Sequence, residues 1–118
     1  MLLKFLRAKI HRAVITEACV DYVGSITIDK NLLDASGILP GESVLVADMS
    51  DGQRFETYVF EGAPGSGVIC INGAAARLVD VGDEVIIMAF GYAQEQEARE
   101  YKPNIIIIGE NNTISEIR

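Results

Sequence analysis

The sequence predicts one small, mainly β domain of the barrel or sandwich class. Three observations favour this class: many short runs of β-branched and aromatic residues, turns rich in Gly and Pro between them, and a length of 118 residues. That length suits a single domain over residues 1–118. Hydrophobic residues make up 49% of the chain, so a packed core is available. Periodicity alone does not distinguish one barrel topology from another.

Seven segments predict strands, because each is short, rich in strand-forming residues and bounded by turn residues. Within the first segment, the alternation of side chains places Lys9 and His11 on the same face. The second contains a glycine break at Gly24, where the chain is expected to bend. The predicted strands are 2–16, 22–28, 43–48, 54–61, 68–71, 84–90 and 105–108.

Two short helices are predicted between the strands. Asp29 is a suitable N-cap for a helix that runs to Ala35, and Gly37 supplies the usual stop. Residues 94–100 predict one or two helical turns before Pro103. The chain is therefore expected to be a β domain with short helices.

Composition excludes several classes of function. The net charge of −7 argues against nucleic acid as a partner. No apolar run approaches the roughly 20 residues that span a bilayer, and no signal peptide is expected, so no membrane partner is predicted. Cys19 and Cys70 lack metal-ligand spacing and fit a reduced, cytoplasmic compartment, with Cys70 expected to be a small buried hydrophobe. His11 is the only histidine, which excludes multi-histidine metal sites, and no metal is predicted.

The N-terminal segment is basic in an otherwise acidic chain. Residues 1–12 contain four Lys or Arg residues and no acidic residue. This pattern fits either a solvated strand or a local anion-binding site. Charge alone leaves both interpretations open.

The candidates for chemistry are polar residues embedded in short apolar segments. Each also has a structural interpretation; Arg54, for example, shares one strand face with Glu56 and Tyr58 at a spacing of two. The dipeptide Gly24-Ser25 is weak evidence by itself, because it is common in turns. The candidates are Lys9, His11, Tyr22, Ser25, Arg54, Thr57, Tyr58 and Asn72.

Taken together, the segments that hold these candidates resemble the aspartate 1-decarboxylase family of pyruvoyl enzymes. The resemblance extends over roughly residues 1–110, with several independent motifs in the family's order and spacing. The motifs are Ala8-Lys9-Ile10-His11-Arg12, Tyr22-Val23-Gly24-Ser25-Ile26-Thr27-Ile28-Asp29, Leu33-Asp34-Ala35-Ser36-Gly37-Ile38-Leu39, Gly52-Gln53-Arg54-Phe55-Glu56-Thr57-Tyr58, Asn72-Gly73-Ala74-Ala75-Ala76, Val81-Gly82-Asp83 and Pro103-Asn104.

The resemblance implies a double-psi β-barrel with short helices, assembled as a homotetramer with active sites between adjacent subunits. It implies decarboxylation of L-aspartate to β-alanine and carbon dioxide, a step that supplies pantothenate and hence coenzyme A. The implied cofactor is a pyruvoyl group derived from Ser25, which forms a Schiff base with the substrate, and neither pyridoxal phosphate nor a metal is implied. A maturation partner protein is an open possibility.

The resemblance also implies how the cofactor forms. The Ser25 hydroxyl attacks the Gly24 carbonyl, and elimination from the resulting ester leaves a β chain, residues 1–24, and an α chain, residues 25–118. Glycine before the serine is physically sensible, because its missing Cβ permits a strained turn and close attack. The residues implied in or near this self-processing site are Gly24, Ser25, Thr57, His11 and Tyr22.

The implied substrate site combines cations with a proton donor. Arg54 suits a carboxylate clamp, because a guanidinium group binds carboxylate through two parallel hydrogen bonds, and Lys9 supplies a second charge. Tyr58 corresponds to the family's proton donor, which quenches the carbanion left when carbon dioxide departs. The substrate-binding residues implied by the resemblance are Lys9, Arg54, Thr57, Asn72, Gly73, Ala74 and Ala75.

Three alternatives remain open from the sequence. The chain could be a non-catalytic β-barrel that serves as an assembly or binding module, since barrels host many functions. It could be an unprocessed, inactive proenzyme. The substrate could also be another small acidic amino acid such as glutamate, which is one methylene longer than aspartate.

Overall fold

The computed structural model describes residues 1–118 as nine strands, two α-helices and two short 3₁₀ helices. The strands are β1 (Leu3–Val14), β2 (Glu17–Cys19), β3 (Ser25–Asp29), β4 (Ser43–Asp48), β5 (Arg54–Gly62), β6 (Ile69–Asn72), β7 (Glu84–Ala93), β8 (Asn104–Ile108) and β9 (Ile114–Ile117). The α-helices are α1 (Lys30–Ser36) and α2 (Glu95–Glu100), and the 3₁₀ helices cover Gly73–Leu78 and Glu110–Asn112.

The strands form one sheet that closes on itself. Its order is β2-β6-β3-β5-β4-β7-β1-β8-β9, and only Ile15 and Thr16 separate β1 from β2. Thr16 N donates to Ile69 O at 2.8 Å, and Ile69 N donates to Thr16 Oγ1 at 3.0 Å, so the segment leaving β1 bonds directly to β6. The mainly β barrel predicted from the sequence is therefore confirmed. Its parallel pairs β2–β6 and β3–β5, flanking the antiparallel pair β3–β6, are compatible with a double-psi arrangement.

The barrel interior holds the core, because alternate residues of each strand point inward. A cluster of 21 buried apolar residues fills it, and Ile10, Ile26, Val59, Ile71 and Ile87 are fully buried. The residues between these inward positions face the outside of the barrel. On the strands β3 and β6, the outward residues include the polar candidates of the sequence.

The helix α1 forms as the sequence predicts. Asp29 Oδ1 accepts a hydrogen bond from Asn31 N at 2.8 Å, which satisfies a backbone donor of the first turn. Gly37 ends the helix with φ of +79°, the left-handed conformation that glycine adopts without strain. The same Asp29 carboxylate accepts from Gly65 N and Gly67 N, so it also ties the β5–β6 turn to β3.

Several predicted bounds need correction. Tyr22 and Val23 do not form a strand; they lie in an exposed turn, and β3 begins at Ser25. β7 continues to Ala93, because Leu3 of the long β1 pairs with that residue. The strands β2 and β9 were not predicted from the sequence. No helix of the structure has the length and apolar character needed to cross a membrane.

Candidate active site

Ser25 lies at the first position of β3 and is fully buried. The antiparallel register of β3 with β6 places Asn72 directly opposite it. Asn72 Nδ2 donates a hydrogen bond to Ser25 Oγ at 3.2 Å and a longer one to Thr27 Oγ1 at 3.4 Å. The serine hydroxyl thus accepts a hydrogen bond from an amide at the edge of the barrel wall.

The bond before Ser25 is held against a second glycine. Gly73 has φ of +78°, and a Cβ atom built on it would lie 2.6 Å from Gly24 Cα and 3.0 Å from Gly24 N. A side chain at position 73 would therefore displace the Gly24 backbone. Two consecutive residues therefore contact the Gly24–Ser25 bond from one side. Asn72 contacts the Ser25 hydroxyl, and Gly73 contacts the Gly24 backbone.

A cavity of about 400 Å³ lies over Ser25. Apolar side chains form most of its wall, and hydroxyl, amide, thiol and carboxyl groups supply the polar contacts. The lining residues are Glu17, Tyr22, Val23, Ser25, Thr27, Phe60, Val68, Cys70 and Asn72. Of the residues predicted from the sequence, only Tyr22, Ser25 and Asn72 line this cavity.

Tyr58 lies at the edge of the cavity. The parallel register of β3 with β5 pairs Ile26 with Val59, which places Tyr58 beside Ser25 one residue earlier. The Tyr58 ring packs edge-on against Phe60, with 5.6 Å between ring centroids, and Phe60 lines the cavity. Thr57 has the opposite orientation in β5, because neighbouring residues of a strand face opposite sides. No hydrogen bond joins Thr57 to Gly24 or Ser25.

The remaining candidates of β5 and β1 lie on other parts of the outer face. The burial of β5 alternates so that Arg54, Glu56 and Tyr58 share one exposed face, as expected. Strand registers align Lys9 with Glu56 through β7 and β4, and they align His11 with Arg54 in the same way. Lys9 is on β1, with β7, β4 and β5 between it and Ser25 in the strand order, and Arg54 is on β5, four residues before Tyr58. Neither cation lines the cavity over Ser25.

The basic N-terminal residues differ in their partners. The Arg7 side chain forms an ion pair with Glu42, and Arg12 Nε lies 3.3 Å from Glu84 Oε2. Lys9 and Arg54 have no acidic partner within ion-pair distance. Both cations are consequently available to bind an anion that is not part of this chain.

His11 is half-buried on β1 and does not line the cavity. Burial lowers the pKa of its imidazole, and the neighbouring Lys9 and Arg12 charges lower it further. Its Nδ1 is buried and has no hydrogen-bond partner. This environment favours the uncharged form of the ring.

Small residues follow Asn72 in a tight 3₁₀ helix, Gly73–Leu78. Gly73 is buried, Ala74 is exposed and Ala75 is half-buried. None of the three lines the cavity over Ser25. Ala74 is on the outer surface of the barrel, where a molecule bound against it could contact this residue.

Six cavity residues have no counterpart among the sequence candidates: Glu17, Val23, Thr27, Phe60, Val68 and Cys70. The alternation of side chains along a strand could have identified three of them. Thr27 is two residues after Ser25, Cys70 is two before Asn72, and Phe60 is two after Tyr58, so each shares a face with a predicted site residue. The alternation could not have identified Glu17, because β2 is too short to be recognised as a strand from the sequence.

The geometry defines a class of protein: a small β-barrel with a buried serine hydroxyl at a Gly–Ser bond, under a cavity and beside an amide donor. The family model described as aspartate decarboxylase matches residues 1–115. The chain belongs to the aspartate decarboxylase family.

Curated relatives cover the chain almost completely. An aspartate 1-decarboxylase of Clostridium beijerinckii is 56% identical over 117 residues, which are 99% of this chain and 94% of that relative. An aspartate 1-decarboxylase of Carboxydothermus hydrogenoformans is 52% identical over 118 residues, 100% of this chain and 93% of the relative. Among solved structures, the rationally designed mkDPBB_sym1 protein is 22% identical with a TM-score of 0.48, over 75% of this chain and 99% of that chain.

Proposed function

We propose that this chain decarboxylates L-aspartate to β-alanine and carbon dioxide, using a pyruvoyl group made from Ser25. The enzyme class is the one for which the family is named. The observation that carries the proposal is the setting of Ser25, which is fully buried, lies under a cavity and accepts a hydrogen bond from Asn72. A serine that served only to pack the barrel would be buried and hydrogen-bonded as well, but it would not need to lie under a cavity.

The same setting fits formation of the cofactor by self-cleavage. Ser25 Oγ attacks the Gly24 carbonyl carbon, so an ester C–O bond forms and the Gly24–Ser25 C–N bond breaks. Loss of the Ser25 Cα proton and cleavage of the Cβ–Oγ bond then release residues 1–24 with a free carboxylate. Water replaces nitrogen at position 25, and ammonia leaves. The close packing of Gly24 on Gly73 supports this route, because it holds the scissile peptide in place.

The pyruvoyl carbonyl supplies the electron sink that α-decarboxylation of an amino acid requires. The residues around position 25 fit such a group, since the cavity is largely apolar and Asn72 Nδ2 is directed at this position. Tyr58 is adjacent in the neighbouring strand and carries a phenol proton. We assign it the return of a proton to the substrate carbon after carbon dioxide leaves.

Lys9 and Arg54 supply the charges that a dianionic substrate needs. Neither forms an ion pair, and neither lines the cavity over Ser25 of the same chain. A second copy of the chain, packed on the cavity side, would bring its cations to the substrate carboxylates. This separation supports a homotetramer with active sites between subunits. Thr57, His11 and the Gly73–Ala75 backbone are proposed to contribute from the same interface.

The proposed biological role is the supply of β-alanine for pantothenate, and hence coenzyme A, in the cytoplasm. A partner protein that accelerates maturation is compatible with this role. The substrate is aspartate rather than glutamate in this proposal, because the family takes its name from aspartate.

The test compares the native chain with Ser25→Ala after both have been incubated under identical conditions. The native protein is expected to release carbon dioxide and β-alanine from L-aspartate in equal amounts, and Ser25→Ala to release neither. Cys19→Ala serves as a matched control, because Cys19 lies near the cavity without lining it. Full decarboxylase activity in Ser25→Ala would refute the proposed mechanism, and an inactive native chain would favour a binding module or an unprocessed proenzyme.

A further inference from the structure

The cavity contains one reactive side chain that the proposed mechanism does not use, the thiol of Cys70. Cys70 is almost fully buried, with 7% of its surface exposed, and it lies directly across from Thr27 in the β3–β6 register. Its Sγ lies 3.3 Å from Asn72 Oδ1, in donor geometry. The thiol therefore contacts the amide that contacts Ser25.

We propose that Cys70 is a positioning residue for Ser25: its thiol donates to the Asn72 amide oxygen and so holds the amide nitrogen toward the serine hydroxyl. This inference rests on the proposed function of Ser25. It assigns a role to a residue that the sequence indicates only as a small buried hydrophobe.

The orientation of the Asn72 amide depends on its three neighbours. Ser25 and Thr27 carry hydroxyls, which can donate or accept a hydrogen bond, so they can bond to the amide in either orientation. Cys70 is different, because a thiol proton can bond to the amide oxygen, whereas sulfur is a weak acceptor for the amide nitrogen. Among these neighbours, only the thiol favours one orientation over the other.

This orientation favours attack by the serine. An N–H group that donates to Ser25 Oγ stabilises the negative charge that the oxygen gains as it loses its proton. The reversed amide would instead place its carbonyl oxygen against Ser25 Oγ, where it would hold the serine proton. The Cys70 contact therefore acts on the rate of cleavage through Asn72.

The environment keeps the thiol in the form that donates. Burial raises the pKa of the Cys70 thiol, and the neighbouring Glu17 carboxylate raises it further. The thiol consequently stays protonated at neutral pH and retains its donor proton.

The test measures the rate at which the intact chain converts to fragments 1–24 and 25–118, by denaturing mass spectrometry. Cys70→Ala should slow this conversion about fivefold, the effect of losing one neutral hydrogen bond. Cys70→Ser places a hydroxyl at the same position, which can donate to the amide oxygen or accept from the amide nitrogen, so it should restore the rate only in part. Cys19→Ala is the matched control, since it removes a thiol from the neighbouring strand that makes no hydrogen bond, and its rate should be unchanged.

A second comparison separates positioning from packing. In an Asn72→Ala background, Cys70→Ala should cause no further slowing, because the contact through which it acts is already absent. A further loss of the same size in that background would overturn the proposal, as would native cleavage in Cys70→Ala.

A third readout does not depend on cleavage. The side-chain amide protons of Asn72, observed by ¹⁵N NMR, should exchange slowly with solvent in the native chain and faster in Cys70→Ala, where the amide is no longer held toward Ser25. Unchanged exchange in Cys70→Ala would overturn the role of Cys70. A native chain with the ordered amide but no cleavage would refute the proposed self-processing while supporting the contact.

Discussion

Gly73 is the residue whose conformation bears most directly on the scissile bond. Its φ of +78° favours glycine, and the space where a Cβ would lie is occupied by the Gly24 backbone. Gly52 shares only the first constraint, because it has the same φ of +78° but nothing within 4 Å of a Cβ position. Comparing alanine substitutions at Gly52 and Gly73 therefore separates backbone strain from displacement of the Gly24 backbone.

Gly52→Ala should lose about 1 kcal/mol of stability, because it places alanine in a left-handed conformation. Gly73→Ala should lose more, because its Cβ would also lie 2.6 Å from Gly24 Cα. Only Gly73→Ala should slow cleavage strongly, by about 100-fold, since a misplacement of the order of 1 Å has effects of that size. Thermal unfolding and fragment mass spectrometry measure the two effects. Equal cleavage rates in the two variants would show that the Gly24–Gly73 contact does not position the bond.

Tyr58→Phe separates maturation from turnover. The phenylalanine ring keeps the edge-on packing against Phe60 but lacks the phenol proton. We expect cleavage at the native rate and a decarboxylation kcat reduced by about 10²- to 10⁴-fold, the usual contribution of a positioned acid. Loss of cleavage would assign Tyr58 to maturation instead, and an unchanged kcat would remove it from the proton transfer.

The bounds of helices and strands are predicted well from the sequence where neighbouring residues determine them. Asp29 and Gly37 place α1 within one residue of its observed bounds, because both caps act through neighbouring backbone atoms. β4 lies at residues 43–48 as predicted, since it is bounded by turns at both ends. β2 was missed, because three residues show no periodicity, and pairing with the distant β6 is what makes them a strand.

Some residues of the candidate site were likewise predicted from the sequence, and others were not. The Gly24-Ser25 bond, Asn72 and Tyr58 were identified through a family resemblance, and the structure places them together around one cavity edge. Thr27, Cys70 and Phe60 were missed, although each lies two residues from a predicted site residue. The position of Lys9 relative to Ser25 could not be predicted, because it depends on how many strands lie between them in the closed sheet.

The strand β4 ends in a carboxyl group with an unusual environment. Asp48 is 1% exposed, its Oδ1 accepts from Ser50 N at 2.8 Å, and its Oδ2 is buried without a partner. Burial raises the pKa of Asp48 to about 6, and the neighbouring Asp83 carboxylate contributes to the rise. The pKa of Asp83 is lowered by its interaction with Asp48, so the proton of this pair resides on Asp48.

The raised pKa gives stability a definite dependence on pH. An unfolded aspartate has a pKa of about 3.9, so the fold favours the protonated Asp48; this contribution is complete below about pH 4 and is lost as the pH rises through about 6. Asp48→Asn mimics the protonated acid. We therefore expect it to be more stable than the native chain at pH 7, by about 1–3 kcal/mol, with the difference vanishing near pH 4.

Urea unfolding of both proteins between pH 4 and 7.5 measures this difference. Asp21→Asn, which removes an exposed carboxylate that does not contribute to the pKa of Asp48, is the control and should show no such pH-dependent difference. A difference between Asp48→Asn and the native chain that stays constant across the range would contradict the assignment of the proton to Asp48.

At the scale of the whole molecule, the functional groups form two separate sets on one barrel. Ser25 and Asn72 line the cavity and Tyr58 lies beside Ser25 on the next strand, whereas Lys9 and Arg54 do not line the cavity. An interface between copies joins the two sets only if each subunit presents one set to its neighbour. Assembly is then a requirement for catalysis rather than a source of stability alone.

Mixed assemblies test this requirement. Ser25→Ala and Arg54→Ala should each be nearly inactive alone, but co-expression should restore activity, because some sites combine a native Ser25 with a native Arg54 from the neighbour. Random mixing in equal amounts predicts recovery in about a quarter of the sites. Co-expression of Ser25→Ala with Asn72→Ala, which belong to the same set, is the control and should restore nothing; absence of recovery in the first pair would contradict a shared site.

Intact-protein mass spectrometry under denaturing conditions shows whether the chain is cleaved at Gly24–Ser25. We expect two fragments, residues 1–24 and residues 25–118, with the larger one lacking a free amino terminus and carrying one carbonyl that reacts with a hydrazine. A single intact chain of 118 residues after prolonged warming, with no carbonyl labelling, would refute cleavage at this bond.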